Sequence, residues 1–103
     1  MYKINLAKTM KTDFGRITQY IRDELYNSGA AEKFATNTGK KLENLNPFPK
    51  KYTVHESVNS LDYEYRRFIV GNYIVFYTID EENNKISIIR ILHERQDSEN
   101  VLV

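Results

Sequence analysis

The chain has 103 residues, 41% of them apolar and 28% charged, a balance that suits one globular domain and excludes a disordered segment. It contains no Cys, which excludes disulfides, thiolate metal sites and a cysteine nucleophile. The net charge of +1 is uninformative about nucleic acid, but it is unevenly spread: residues 1–51 hold ten Lys/Arg against five Asp/Glu, whereas residues 52–103 hold five against nine. A basic half attracts a polyanion or an acidic partner chain, although exposed Lys is also common on surface helices. Met1-Tyr2-Lys3-Ile4-Asn5 lacks the apolar run of a secretion signal and no stretch is long enough to span a bilayer, so the expected setting is soluble and cytoplasmic, with no membrane partner.

In chain order, residues 2–8 alternate well enough for a short strand. From about Thr12 the period changes, and Phe14, Ile17, Tyr20, Ile21 and Leu25 recur at three- and four-residue spacing, the face of an amphipathic helix. Asn27-Ser28-Gly29 is expected to end it, with Gly29 taking the left-handed conformation. A second helical pattern runs through Ala30, Ala31, Phe34, Ala35, Thr38, Leu42 and Leu45, and stops before Pro47, which excludes helical geometry from its predecessor. Residues 46–63 carry two prolines and many polar side chains and read as a long loop, a feature that in a small domain is often functional. Residues 64–70 and 73–79 flank Gly71-Asn72, a tight hairpin signal, and 86–92 is a last strand rich in β-branched residues. The predicted order is β-α-α-β-β-β. It describes one α+β domain over residues 1–103, a helical hairpin packed on a small antiparallel sheet with its first strand at an edge, and residues 97–103 as a tail.

That order, with Tyr-Arg-Arg-Phe-Ile-Val-Gly-Asn-Tyr-Ile-Val-Phe-Tyr at 65–77 and Ile-Ile-Arg-Ile-Leu-His-Glu-Arg-Gln-Asp at 88–97, resembles the RelE/ParE toxins of bacterial type II toxin–antitoxin systems. The helical segment from Tyr20-Ile21-Arg22-Asp23-Glu24-Leu25 through Ala30-Ala31-Glu32-Lys33-Phe34 resembles the ParE-type branch in particular, and the exit Asn46-Pro47-Phe48-Pro49 fits as well. The resemblance implies a growth-inhibiting cytoplasmic toxin held by a cognate antitoxin, with no cofactor, no metal and no small-molecule substrate. Two targets are implied by different branches: DNA gyrase, inhibited without nuclease chemistry, or the ribosome and its mRNA, cut by a metal-independent endoribonuclease. Fold alone does not choose between them.

Cleavage by 2′-hydroxyl attack needs a base, an acid and cations at the phosphorus. His93 at the end of the last strand is the candidate acid or base, imidazole being the side chain suited to that work near neutral pH, and Glu56 or His55 in the loop offers a second proton-transfer group. Arg67, Arg90, Arg95, Lys50 and Lys51 are the candidate phosphate contacts. Each has an ordinary alternative: a histidine bonded to backbone at a strand end, loop lysines in solvent, arginines in structural ion pairs. By alternation Arg90 points away from His93 and shares a face with Ile86, Ile88 and Leu92, which suggests a structural salt bridge or a snorkelling side chain. Arg66 and Arg67 likewise point oppositely, and Tyr73 and Tyr77 share a face, for base stacking or for the core. One departure decides the leaning. RelE-like nucleases usually read Tyr-Arg-x-x-Tyr where this chain has Tyr73-Ile74 onward, and no Tyr follows residue 77. Ile cannot donate to a phosphate, and the loss of such a donor costs ~100-fold or more in rate. The leading expectation is therefore gyrase inhibition, with the ribosome-dependent endoribonuclease as the alternative.

Overall fold

Strand alternation in the second half of the chain builds the sheet on which everything else rests. The computed structural model describes residues 1–55 and 64–96. Its elements are β1 (Lys3–Leu6), α1 (Lys8–Gln19), a π-helical turn (Tyr20–Glu24), α2 (Ser28–Glu43), a 3-10 turn (Pro49–Lys51), β2 (Val54–His55), β3 (Tyr65–Val70), β4 (Tyr73–Asp80) and β5 (Lys85–His93). The strands form one sheet in the order β1-β5-β4-β3-β2. The β3-β4-β5 meander is antiparallel, with β1 at one edge, as the sequence predicts. Two details differ: β1 runs parallel to β5, and the loop contributes the two-residue edge strand β2. A parallel partner is available to β1 because α1 and α2 carry the chain over the sheet before β3 begins.

Gly71 takes a φ of 59° at the tip of the β3–β4 hairpin, the left-handed geometry that a two-residue turn requires. Opposite it, Phe76 pairs with Arg90 while Tyr77 pairs with Ile88, so Ile89 is an extra residue, a β-bulge. The bulge resets the phase of β5. Ile86, Ile88 and Ile91 all join the core beneath the helices, whereas Leu92 joins Phe76 and Tyr65 in a second cluster. This corrects part of the expectation that Arg90 shares a face with Ile86, Ile88 and Leu92: one inserted residue leaves Arg90 in the row of Leu92, across from Phe76, and takes it out of the Ile86/Ile88 row.

The first helix starts at Lys8, a turn earlier than the apolar period suggests. Its early turns are shaped by β5 rather than by a hydrophobic face. β1 pairs with β5 only as far as Ile88, which leaves the next stretch of that edge open. There Thr9 Oγ1 donates to Ile89 O at 2.8 Å, and Asp13 Oδ2 accepts from Ile91 N at 3.1 Å. Two helix side chains one turn apart thus replace a strand's backbone partners.

The hairpin between the helices also differs from expectation. Leu25 N donates to Tyr20 O, the i→i+5 pattern of a π turn, whose wider ring shifts the helical phase. Tyr20 and Leu25 therefore leave the apolar face and are exposed, while Ile21 stays buried. The left-handed residue is Tyr26, with a φ of 50°, and not Gly29, which lies inside α2. Asn27 caps α2 by accepting from Ala30 N at 3.0 Å. Phe34 of α2 then stacks on Phe14 of α1 and tilts against Tyr73 of β4, locking both helices to the sheet.

Asp13 also receives two bonds from Arg90, Nε at 2.6 Å and Nη2 at 2.9 Å, with the Asp13 side chain 7% exposed and the Arg90 side chain 24%. Removing one member of so buried a pair strands the other. Asp13→Asn is expected to lower unfolding free energy by about 2–4 kcal/mol, read as a shift in the urea midpoint with an unchanged slope.

Candidate functional site

The loop after α2 is held by one arginine. Alternation with Phe68 and Val70 puts Arg66 on the helix-facing row of β3, where a charged side chain must find partners. It finds the loop backbone: Nη1 donates to Lys50 O at 3.1 Å and to Tyr52 O at 2.7 Å, while Nη2 meets Glu64 Oε1 at 3.3 Å. Tyr77 OH donates to Pro49 O at 2.7 Å from beneath. Burial of Tyr77 pushes its phenol up to about 12, the opposing pull of Arg66 being smaller. Sequence reasoning said of Arg66 only that it points to the face opposite Arg67 and gave it no role. The available signal was its shared row with Phe68 and Val70, which marks a buried and therefore structural position.

Lys50 and Lys51 are the loop's own cations. Lys50 Nζ pairs with Glu81, whose hydrogen bond and then charge hold the ammonium above the usual lysine range. Lys51 Nζ donates to Asn44 O at 3.0 Å, capping the end of α2, and sits 5.2 Å from the Tyr52 ring centroid. Lys50, Glu64, Arg66, Asp80, Glu81 and Lys85 line a cleft of about 670 Å³, three cations facing three carboxylates.

His93 lies at the other end of β5. Eight residues of extended chain separate it from Lys85, roughly 26 Å. His93 Nδ1 accepts from Arg95 N at 3.1 Å, and His93 N donates to Gln96 Oε1 at 2.8 Å. The imidazole meets Tyr73 edge-on, with centroids 5.4 Å apart. Burial, and next the neighbouring Tyr20, push the Tyr73 phenol above its ordinary value. With Nδ1 accepting, the neutral ring carries its proton on Nε2. Tyr73 faces the helices, through Phe34, which settles its role in packing. Arg95 is exposed in the turn beyond.

Arg67 is exposed and stands across from Phe76, on the sheet face opposite Phe68. His93 stands across from Tyr73 on the helix-facing row, so Arg67 and His93 occupy opposite faces. Glu56 lies outside the described residues, and of His55 only the backbone in β2 is described. The candidate residues thus fall in three places: Lys50 and Lys51 by the loop, Arg67 on the far face, His93 and Arg95 at the end of β5. Arg90, expected in a structural ion pair, is in one. Among the described residues no group of three His, Asp or Glu side chains converges as a metal site would require.

A helical hairpin over a meander with a parallel edge strand is the architecture of the RelE/ParE toxins. The chain matches the toxin of the chromosomal ParDE system from P. aeruginosa with a TM-score of 0.70, at 13% identity over 90% of this chain and 96% of that one. It matches the isolated E. coli RelE toxin at a TM-score of 0.59 and 13% identity, over 99% and 97% of the two chains. The archaeal RelE–RelB complex from Pyrococcus horikoshii gives 0.51 and 17%, over 93% and 98%. These likenesses define the fold class. Residues 4–98 match the model of the ParE toxin of type II toxin–antitoxin systems, and the chain belongs to that family. No curated protein matches it as a sequence relative.

The Tyr77 phenol is protonated in the folded protein over a range where the unfolded chain, with an ordinary tyrosine, has lost that proton. Stability is therefore expected to fall as pH rises from about 10 to 12. Tyr77→Phe should lose about 1 kcal/mol at neutral pH and flatten that alkaline slope, measured by urea unfolding across pH.

Proposed function

We propose that this toxin arrests growth by binding and inhibiting DNA gyrase, with no bond-breaking chemistry of its own, and that a co-encoded antitoxin neutralises it. The observation that carries the reading is the separation of the groups an RNA-cleaving site would need to gather. His93 and the Lys50–Lys51 loop stand at opposite ends of the sheet, and Arg67 is on the other face from His93. General acid–base catalysis needs its partners within hydrogen-bond reach of one reacting phosphate. Ile74, where RelE-like nucleases place an arginine, supports the same reading. So does membership of the ParE family, together with the fold shared with a toxin from a ParDE pair. The proposal places the protein in the cytoplasm, where gyrase acts. Among the described residues no helix is long and apolar enough to cross a membrane.

The test is purified toxin added to gyrase with relaxed plasmid and ATP. Loss of supercoiling at micromolar toxin is expected. Undisturbed supercoiling, with cleavage of mRNA on programmed ribosomes, overturns the proposal in favour of the endoribonuclease. In cells, DNA synthesis should fall before protein synthesis on induction.

His93→Ala and Arg67→Ala should remain folded and keep toxicity within about threefold, scored by colony counts after induction. A hydrolytic role for either predicts a loss of ~100-fold or more.

A further inference from the structure

We infer that a notch between one side of α1 (Lys8 to Arg16) and the exposed margin of β5 is a phosphate-binding site, through which the toxin grips the backbone of duplex DNA. The notch, of about 250 Å³, is lined by Lys8, Thr9, Thr12, Asp13, Arg16 and Arg90. No apolar residue lines it. Three of the six are cations, and the one carboxylate is already committed to Arg90 and to Ile91 N. Lys8 and Arg16 are exposed and have no carboxylate partner among the described residues. Lys8, Thr12 and Arg16 follow one another at four-residue spacing and so project from one side of α1. Arg90 is fixed by its fork onto Asp13, which leaves Nη1 for another acceptor.

The helix gains nothing from Lys8 at its start. The first turn of α1 holds no acidic residue and opens with Lys8, and Ala7 offers no side-chain cap. A cation at that end opposes the helix dipole, and a bound anion reverses the penalty. Other clefts of the molecule are unlike it. The one beside Lys50 balances three cations with three carboxylates, and the groove between α1 and α2 is lined chiefly by Leu6, Met10, Phe14 and Leu42. An acidic peptide commonly seats an apolar side chain beside its charges, and no apolar residue lines this notch to receive one. A phosphodiester needs only donors, which Arg and Lys supply at matching geometry. The choice of DNA over RNA rests on the gyrase reading; the phosphate chemistry does not.

The experiment is fluorescence anisotropy of a labelled 20-base-pair duplex with the full-length toxin across a salt series, alongside a single-stranded RNA of matched length. Wild type should bind DNA with strong salt dependence. The Lys8→Gln/Arg16→Gln double variant should bind roughly tenfold more weakly near physiological salt, with the log–log salt slope reduced by about 1–2. An α2 double variant with the same loss of charge, Lys33→Gln/Lys40→Gln, should change little. Circular dichroism and thermal melting should show all three folded alike. Equal losses in both double variants, or no DNA binding by wild type at low salt, would overturn the inference, as would displacement of DNA by a poly-glutamate peptide at lower concentration than by unlabelled duplex. Parallel supercoiling assays keep the two readings apart. Notch-dependent binding that prefers RNA, in a protein inert towards gyrase, supports the phosphate site and removes the gyrase reading.

Discussion

Asp13 is the residue on which the arrangement of helix and sheet depends. Its carboxylate accepts the backbone N–H of Ile91 and both arms of Arg90, at the place where β5 has lost β1 as a neighbour. A strand edge without a partner leaves polar backbone groups that burial would penalise, and a helix has no spare backbone donors or acceptors in its middle to offer. α1 solves this with side chains, Thr9 for a carbonyl and Asp13 for an amide. The buried carboxylate then needs a counter-charge, and the bulge at Ile89 turns Arg90 to supply it. Helix start, bulge and ion pair are one device.

The same device shapes the functional surface. Because Asp13 and Arg90 neutralise each other, the unpaired charge on α1 is that of Lys8, Lys11 and Arg16. At the far side of the sheet Arg66 is spent in a similar way on the carbonyls of Lys50 and Tyr52, which fixes the loop and leaves Lys50 to Glu81. The arginines thus divide into structural clamps (Arg66, Arg90) and exposed cations (Arg16, Arg67, Arg95). Guanidinium geometry suits both roles, since one planar fork serves a carboxylate, two carbonyls or a phosphate alike.

The π turn gives the hairpin tip its character. It sends Tyr20 and Leu25 outward and ends in Tyr26, 91% exposed in a left-handed conformation that costs an L-residue roughly 1–2 kcal/mol. The strain is tolerated because Asn27 starts α2 immediately afterwards and Phe34 locks that helix onto Phe14 and Tyr73. Strand ends and helix phase were the parts least legible in the sequence. Periodicity reports which side chains are apolar, whereas a π turn or a bulge inserts a residue without changing composition.

By itself the sequence determined the α+β class, the helical hairpin, the β3-β4-β5 meander with β1 at its edge, and the likeness to RelE/ParE toxins. The elements follow from hydrophobic period, from Gly71-Asn72 and from Pro47, all local signals, and the likeness rests on the segments 65–77 and 88–97 in that order. For Arg90 the sequence left open an ion pair, a snorkelling side chain or a phosphate contact. Only the tertiary structure chose Asp13 as the partner, 77 residues away. Only the structure set His93 and Arg67 on opposite faces, gave Arg66 its hold on the loop, and gathered Lys8 and Arg16 beside Arg90. Those outcomes depend on which edge β1 leaves open and where one bulge resets the alternation of β5, and neither is encoded in any single stretch of chain.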